Sequence, residues 1–359
     1  MSTQESDGRP RGAPWMRVGS LPRRLGARRR KLRHQLAGLG VALAGAVGVL
    51  QFLPSRPVVP NGPLTRLVAA PSAAASADAF GRSGAVRTLF SLPSATVQFP
   101  LTVSDPRGLR YRWVSVDGRR GTGPLTRMVG GRPAAPAEPG FYRLALTGPD
   151  STSAETVVQL PVVAVLAPFR EKIGGVLNGY RIGTYVAERF RAKPDVPEGF
   201  VEVWPETLDL EVSENLRLAD FITHDARQET VWPKYVALSP LLLDKLELVI
   251  AEVGRERQDA RAMRVAVQSG FRTPAYNAGV ERAARDSRHQ HGDAADVAMD
   301  ANGDGRLTAA DGRLVAEAVD RVERAHPDLS GGLGLYVSRR YRTPYVHIDA
   351  RGARARWRG

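Results

Sequence analysis

The sequence predicts a multidomain chain: an N-terminal transmembrane helix, an all-β immunoglobulin-like sandwich and a C-terminal α+β domain. Three observations predict this. An uncharged apolar run, Gln35 to Leu53, follows a strongly basic segment. Between Ala85 and Leu166, apolar and polar residues alternate in short runs broken by turn residues. From Ser239 onward, helical and strand periodicities are mixed.

The chain has 359 residues and a net charge of +14, which points at first to nucleic acid. The placement of the charge argues otherwise. Residues 1–34 hold ten Arg and Lys against Glu5 and Asp7, so that segment carries +8 and the rest of the chain +6. It reads as a basic cytoplasmic segment. Residues 35–53 follow, long enough to cross a bilayer as a helix. Positive charge ahead of the span keeps the N-terminus in the cytoplasm. No small-x-small site closely follows Leu53, so the run reads as an uncleaved signal anchor rather than a cleaved signal peptide. The expected location is the inner (cytoplasmic) membrane, single-pass, with the C-terminal region periplasmic or extracytoplasmic. The expected partners are the membrane and the cell wall, not nucleic acid. There is no cysteine, so no disulfide staples the fold and no thiolate holds a metal.

Residues 54–83 are rich in Pro, Ala and Ser and read as a tether. Residues 84–166 form the expected β-sandwich. Val97, Phe99, Leu101 and Val103 alternate with Gln98, Pro100 and Thr102. Leu109, Tyr111 and Trp113 do the same, as do Tyr142, Leu144 and Leu146 after a Pro139-Gly140 turn, and an apolar run follows from Val157 to Leu166. Residues 167–235 read as a connector of turns and short extended pieces whose aromatics suit packing. Residues 236–359 open with Ser239-Pro240, an N-cap and first-turn pair. Leu242, Leu246, Val249, Ile250 and Val253 then recur at helical spacing, and Gly254 is expected to close the helix. A strand over Met263 to Val267, a helix after Pro274, a second long helix over Thr308 to Arg324 and two closing strands complete the domain.

Ser287-Arg-His289-Gln-His-Gly292-Asp-Ala294-Ala-Asp296 places an imidazole and a carboxylate seven residues apart across a glycine. A second imidazole sits in Tyr345-Val-His347-Ile-Asp349. Read as strands, Ala294, Asp296 and Ala298 share one face of the first segment, and Tyr345, His347 and Asp349 share one face of the second. The small neighbours of Asp296 leave room for a metal and a substrate. Two histidines and a carboxylate make a three-ligand set that leaves a coordination position open for water, which is hydrolase chemistry.

The Ser-x-His-x-x-Gly-x-Ala-x-Asp pattern followed by a strand histidine resembles the zinc D-Ala-D-Ala carboxypeptidase family of peptidoglycan peptidases. Ser269-Gly-Phe-Arg272-Thr, Gly331-Gly-Leu-Gly-Leu-Tyr336 and Val346-His-Ile-Asp349-Ala-Arg351 add to the resemblance, which covers about residues 236 to 357. It implies that His289, Asp296 and His347 bind zinc and that Arg272 holds a substrate carboxylate. It implies a zinc-dependent D,D-carboxypeptidase or endopeptidase that hydrolyses D-Ala-containing stem peptides of peptidoglycan by metal-activated water. Ser287 contacts the substrate or supports His289. Many relatives carry a general base as Glu three residues before the last ligand, or His two before it. Here those positions are Pro344 and Tyr345, and neither is a base near pH 7. Asp349, the nearest carboxylate in sequence, is either the base or an orienting partner of a ligand. The lack of the usual base leaves a second reading: a cell-wall-binding protein that keeps the peptidase fold but hydrolyses little.

Asp300-Ala-Asn302-Gly-Asp304-Gly305-Arg306-Leu-Thr-Ala-Ala-Asp311 fits a twelve-residue calcium loop. Oxygen ligands fall at positions 1, 3, 5 and 12, the Arg306 carbonyl at 7, and Gly305 at the sixth position, where the loop turns. A strand rather than a helix is expected to precede it.

Overall fold

The computed structural model describes residues 68–69, 80–100, 102–103, 108–130, 132–148, 155–190, 195–257, 263–338 and 340–359. Its N-terminal part contains a six-stranded mixed sheet. Four strands form its body: β1 (Thr88–Ser91), β2 (Arg110–Ser115), β3 (Gly140–Thr147) and β4 (Val162–Val165), in the order β1-β4-β3-β2. The pairs Thr126–Arg127 and Thr156–Val157 extend it beside β2 and β3. β1 runs parallel to β4, and the other pairings are antiparallel.

This corrects the immunoglobulin-like sandwich. Among the described residues, the chain covering one face of this sheet is irregular rather than a second sheet. Val97, Phe99 and Ala135 cover Tyr111, Trp113, Leu144 and Val163, joined by the bridge Thr96–Ala134. Pro100, Pro133 and Pro136 lie in these covering segments. A proline lacks the N–H a ladder needs, so the alternating pattern is buried there without becoming a paired strand.

The opposite face of the same sheet joins a larger core. Val86, Phe141, Val162 and Ala164 belong to one apolar cluster with Tyr180, Tyr185, Phe200, Phe221 and Tyr235 of residues 167–235 and with the C-terminal layers. β5 (Gly199–Val203) and β6 (Lys234–Val236) pair antiparallel within that middle segment. Its aromatics Tyr180, Tyr185 and Phe200 are fully buried packing residues, whereas Phe190 is exposed.

The C-terminal sheet has five strands: β7 (Val265–Ser269), β8 (Ala294–Met299), β9 (Gly332–Tyr336), β10 (Tyr345–Asp349) and β11 (Ala355–Arg358). Their order is β7-β8-β10-β9-β11, antiparallel except for the parallel β9–β11 pair. Ala295, Val297, Met299, Leu333, Val346 and Ile348 bury one face of it. Two helices belong to the same core, α1 (Pro240–Glu256) and α2 (Ala309–Ala325). The stripe Leu242, Leu246, Val249, Ile250 and Val253 of α1 is buried as its spacing predicts. Each such side chain contributes about 1.5–3 kcal/mol relative to exposure. Gly254 does not close α1, which runs on to Glu256 and ends where Arg257 turns extended. The helix after Pro274 is a single turn, Pro274–Asn277.

The transmembrane helix expected over 35–53 lies outside the described residues. Among the described residues no helix is long and apolar enough to cross a membrane. α1 and α2 have 17 residues each, about 26 Å at 1.5 Å per residue, short of a bilayer's hydrocarbon core. Both carry charged residues along their length. The transmembrane element and the single-pass membrane location are therefore withdrawn.

Lys245 of α1 fixes the two layers against each other. It is fully buried, and its Nζ donates to Glu323 Oε1 of α2 at 2.7 Å and to the Asp349 carbonyl of β10 at 2.6 Å. Losing Lys245 removes this donor from the Asp349 carbonyl and leaves Glu323 to Arg356 and Gly331 N. Lys245→Met is expected to lower unfolding free energy by about 2 kcal/mol in urea denaturation.

Candidate metal centre

The strand register assembles the centre. Asp296 on β8 pairs with Ser269 on one side and with His347 on the other, so all three side chains leave the same face. His347 pairs in turn with Gly334, and Gly334 with Trp357. Gly334 has a packing reason: a Cβ there would stand 2.4 Å from Trp357 Nε1. The bare backbone lets the indole lie over β9, 5.1 Å from the His347 ring.

His289 enters from the 3-10 turn Arg288–His291 just ahead of β8. Gly292 ends that turn at φ 73°, and a Cβ on it would meet the Ala237 carbonyl oxygen at 2.2 Å. Both the left-handed backbone and the close approach require glycine. The turn is tied on two sides, by Ser239 N donating to the Gly292 carbonyl and Arg272 N donating to the His289 carbonyl.

Three atoms then converge. His289 Nε2 lies 3.2 Å from Asp296 Oδ1 and 3.1 Å from His347 Nδ1, and His347 Nδ1 lies 2.9 Å from Asp296 Oδ1. The other atom of each group has its own partner. His289 Nδ1 stands 2.7 Å from the Gly270 carbonyl, which can only accept, so the proton is on Nδ1 and Nε2 presents a lone pair. His347 Nε2 stands 3.2 Å from Asp349 Oδ2, which places its proton there and a lone pair on Nδ1. Arg272 Nη2 donates to Asp296 Oδ2 at 2.5 Å and leaves Oδ1 to the cluster. Three buried acceptors facing one another repel unless a cation or a proton stands between them.

The donor set fits a metal ion. Donors 2.0–2.1 Å from a tetrahedral zinc stand about 3.3 Å apart, close to the separations here. Among the described residues, His289, Asp296 and His347 are the one group of three or more acidic or histidine side chains whose ligand atoms meet within 4.8 Å. The titration behaviour follows from the same crowding. Burial pushes the His289 imidazole below its ordinary value. For His347 burial works against the charged form, but hydrogen bonds to Asp296 and Asp349 outweigh it and raise its pKa. Burial likewise opposes ionisation of Asp296, yet the two imidazoles hold its carboxyl well below the usual range.

The other predicted site residues fall as follows. Asp349 is fully buried. It accepts from Gly332 N at 2.7 Å, from the Arg351 guanidinium and from His347, on the side of the imidazole away from the cluster. Arg272 also donates from Nε to Ser269 Oγ at 2.7 Å. Ser287 opens the turn that carries His289, and its carbonyl accepts from Gln290 N. Tyr345 stacks on Tyr336 with ring centres 4.6 Å apart, and burial raises its phenol pKa well above the ordinary value. His291 bonds Asp286 rather than the cluster. Asp300, Asn302, Asp304, Arg306 and Asp311 form a separate loop directly after β8.

Sequence reasoning missed the Gly270 carbonyl, the Arg351 clamp on Asp349 and the Trp357 wall. Gly332 and Gly334, alternating along one strand face, are the signal that something packs there. Comparison with protein-family models, with curated proteins and with solved structures returns no match.

The centre is expected to hold one metal ion per chain, and His289→Ala is expected to lose it, as read by elemental analysis for transition metals after dialysis. The raised pKa of His347 predicts a pH effect in the metal-free protein. Protonated His347 contributes stability that is fully present below its unfolded value of 6.5 and is lost as pH rises through the raised folded value. Metal-free protein should therefore lose the His347 contribution between about pH 6 and about pH 8.5, a loss that His347→Gln abolishes in thermal melts, while the lowered pKa of His289 works in the opposite direction below pH 6.5. Added metal should raise the melting temperature more at the higher pH, because it displaces that proton.

Proposed function

We propose that the chain is a zinc-dependent peptidase acting on D-Ala-containing stem peptides of peptidoglycan. The observation that carries this reading is the convergence of three buried acceptors, His289 Nε2, Asp296 Oδ1 and His347 Nδ1, each oriented by a partner behind it. Nitrogen and oxygen donors without sulfur suit zinc in a three-ligand hydrolytic site. Bound there, zinc supplies a water of lowered pKa and polarises a carbonyl.

The chain's own residues position the rest. Asp349 holds the His347 tautomer and ring orientation, a role its saturated hydrogen bonding favours over that of base. Arg272 holds Asp296 so that one oxygen faces the cluster. Half-buried Trp357, Tyr336 and Tyr345 line the strands on the His347 face, with the indole N–H donating to the Tyr336 hydroxyl at 2.9 Å. A cleft of about 530 Å³ lies beside the His289 turn and includes Gln290 and Pro274 in its wall. Its size falls in the usual range for ligand sites. Arg181, Arg189 and Arg285 also line it, all three exposed, and among the described residues no acidic side chain does. That charge suits a ligand rich in carboxylates, bound beside the cluster rather than on it, since none of His289, Asp296, His347 or Arg272 lines the cleft.

One observation favours the second reading, a wall-binding protein of little activity. The carboxylate that touches the cluster from outside, Asp349, is already engaged by Arg351 and Gly332 N. Incubating purified protein with muropeptides, with and without zinc, separates the readings. Zinc-dependent loss of D-Ala or of a cross-link in the mass spectrum, abolished in His289→Ala, is the expected result. Binding without any product is the outcome of the second reading, and neither binding nor product defeats both.

A further inference from the structure

The loop after β8 contains an oxygen that nothing among the described residues satisfies. Asp300 is 4% exposed. Its Oδ2 accepts from Gly305 N at 3.1 Å, across the loop, whereas its Oδ1 is sealed from solvent without any hydrogen-bond partner. A buried carboxylate oxygen left unpaired is costly.

The rest of the loop is closed by hydrogen bonds to its own side chains. Asn302 Oδ1 accepts from Asp304 N at 3.0 Å, and Asp304 Oδ1 accepts from Arg306 N at 2.8 Å. Gly305 takes φ 81° with open space at its missing Cβ, so glycine is needed there for the backbone and not for room. Asp311 braces the two ends. Its Oδ1 accepts from Ala301 N and Asn302 N, and its Oδ2 accepts from Thr308 N and Thr308 Oγ1 at 2.7 and 2.6 Å, which also caps α2.

We infer that this loop binds a calcium ion through Asp300, Asn302, Asp304 and the Arg306 carbonyl, with Asp311 acting first as the brace that closes the loop. All the donors are oxygens on a flexible loop, which suits calcium better than magnesium. The ion ties to the metal centre through one strand. Asp300 N donates to the Arg264 carbonyl and so prolongs the β7–β8 ladder that presents Asp296 four residues earlier. Asp304 and Asn302 are exposed and Asp311 is already committed, so affinity is expected near 0.1–1 mM, the weak end of the range, about that of extracellular modules.

The test is a calorimetric titration of calcium chloride into the full chain, repeated in His289→Ala so that the result does not depend on the metal centre. One calcium per chain is expected in both, with a melting temperature raised by roughly 3–8 °C at a hundredfold excess over the dissociation constant. Magnesium chloride should bind at least about tenfold more weakly. Asp304→Ala, at an exposed position, should melt like the parent without calcium and lose the calcium response, and Asp300→Asn should lose it too. No heat and no thermal shift in the parent protein would falsify the site. So would a calcium response that survives both substitutions, because the ion would then bind elsewhere.

Discussion

The C-terminal half is organised by the demand that three acceptors be held against their mutual repulsion. His289 Nε2, His347 Nδ1 and Asp296 Oδ1 face one another at 2.9–3.2 Å in a buried setting. Each is kept there by a group behind it: the Gly270 carbonyl, the Asp349 carboxylate and the Arg272 guanidinium. A side chain free to turn away would relieve the repulsion, so the site needs those outer partners as much as its own three residues. A cation removes the repulsion, and in its absence a proton on His347 does so in part.

That arrangement rests on rigid elements rather than loops. Asp296 and His347 are opposite one another on neighbouring strands, where a one-residue slip would turn either side chain into the helix layer. The helix layer pins the register. Lys245 reaches from α1 to α2 and to the carbonyl of Asp349 itself. Glu323 receives Lys245, Arg356 of β11 and Gly331 N, so one buried carboxylate joins α1, α2, β11 and the entrance to β9. The orientation of His347 through Asp349 is thereby tied to the packing of the whole layer.

Among its described residues the N-terminal sheet has no comparable constellation, and its alternating patterns mark burial on two sides. One face is covered by proline-bearing irregular chain and the other joins the core shared with α1 and the C-terminal strands. Alternation in sequence reports which side chains are buried. It does not report whether the covering layer is a sheet, since that depends on backbone donors at positions such as Pro100 and Pro133.

The sequence alone determined the helix stripes of α1 and α2, the strand character around Asp296 and His347, and the candidate ligands. Local periodicity and motif spacing carry that information, because a side chain's face follows from its place in a helix or strand. It also marked the calcium-type loop by its spacing of oxygens around Gly305. What the sequence could not decide was which neighbours each group would meet. That Asp349 is clamped by Arg351 and Gly332, that Arg272 is taken up by Asp296 and Ser269, and that Asp311 braces its loop all depend on strand register and helix packing between residues distant in the chain. The orphaned Asp300 oxygen belongs to the same class: burial with no partner is a property of the folded surroundings, and only the tertiary structure sets them.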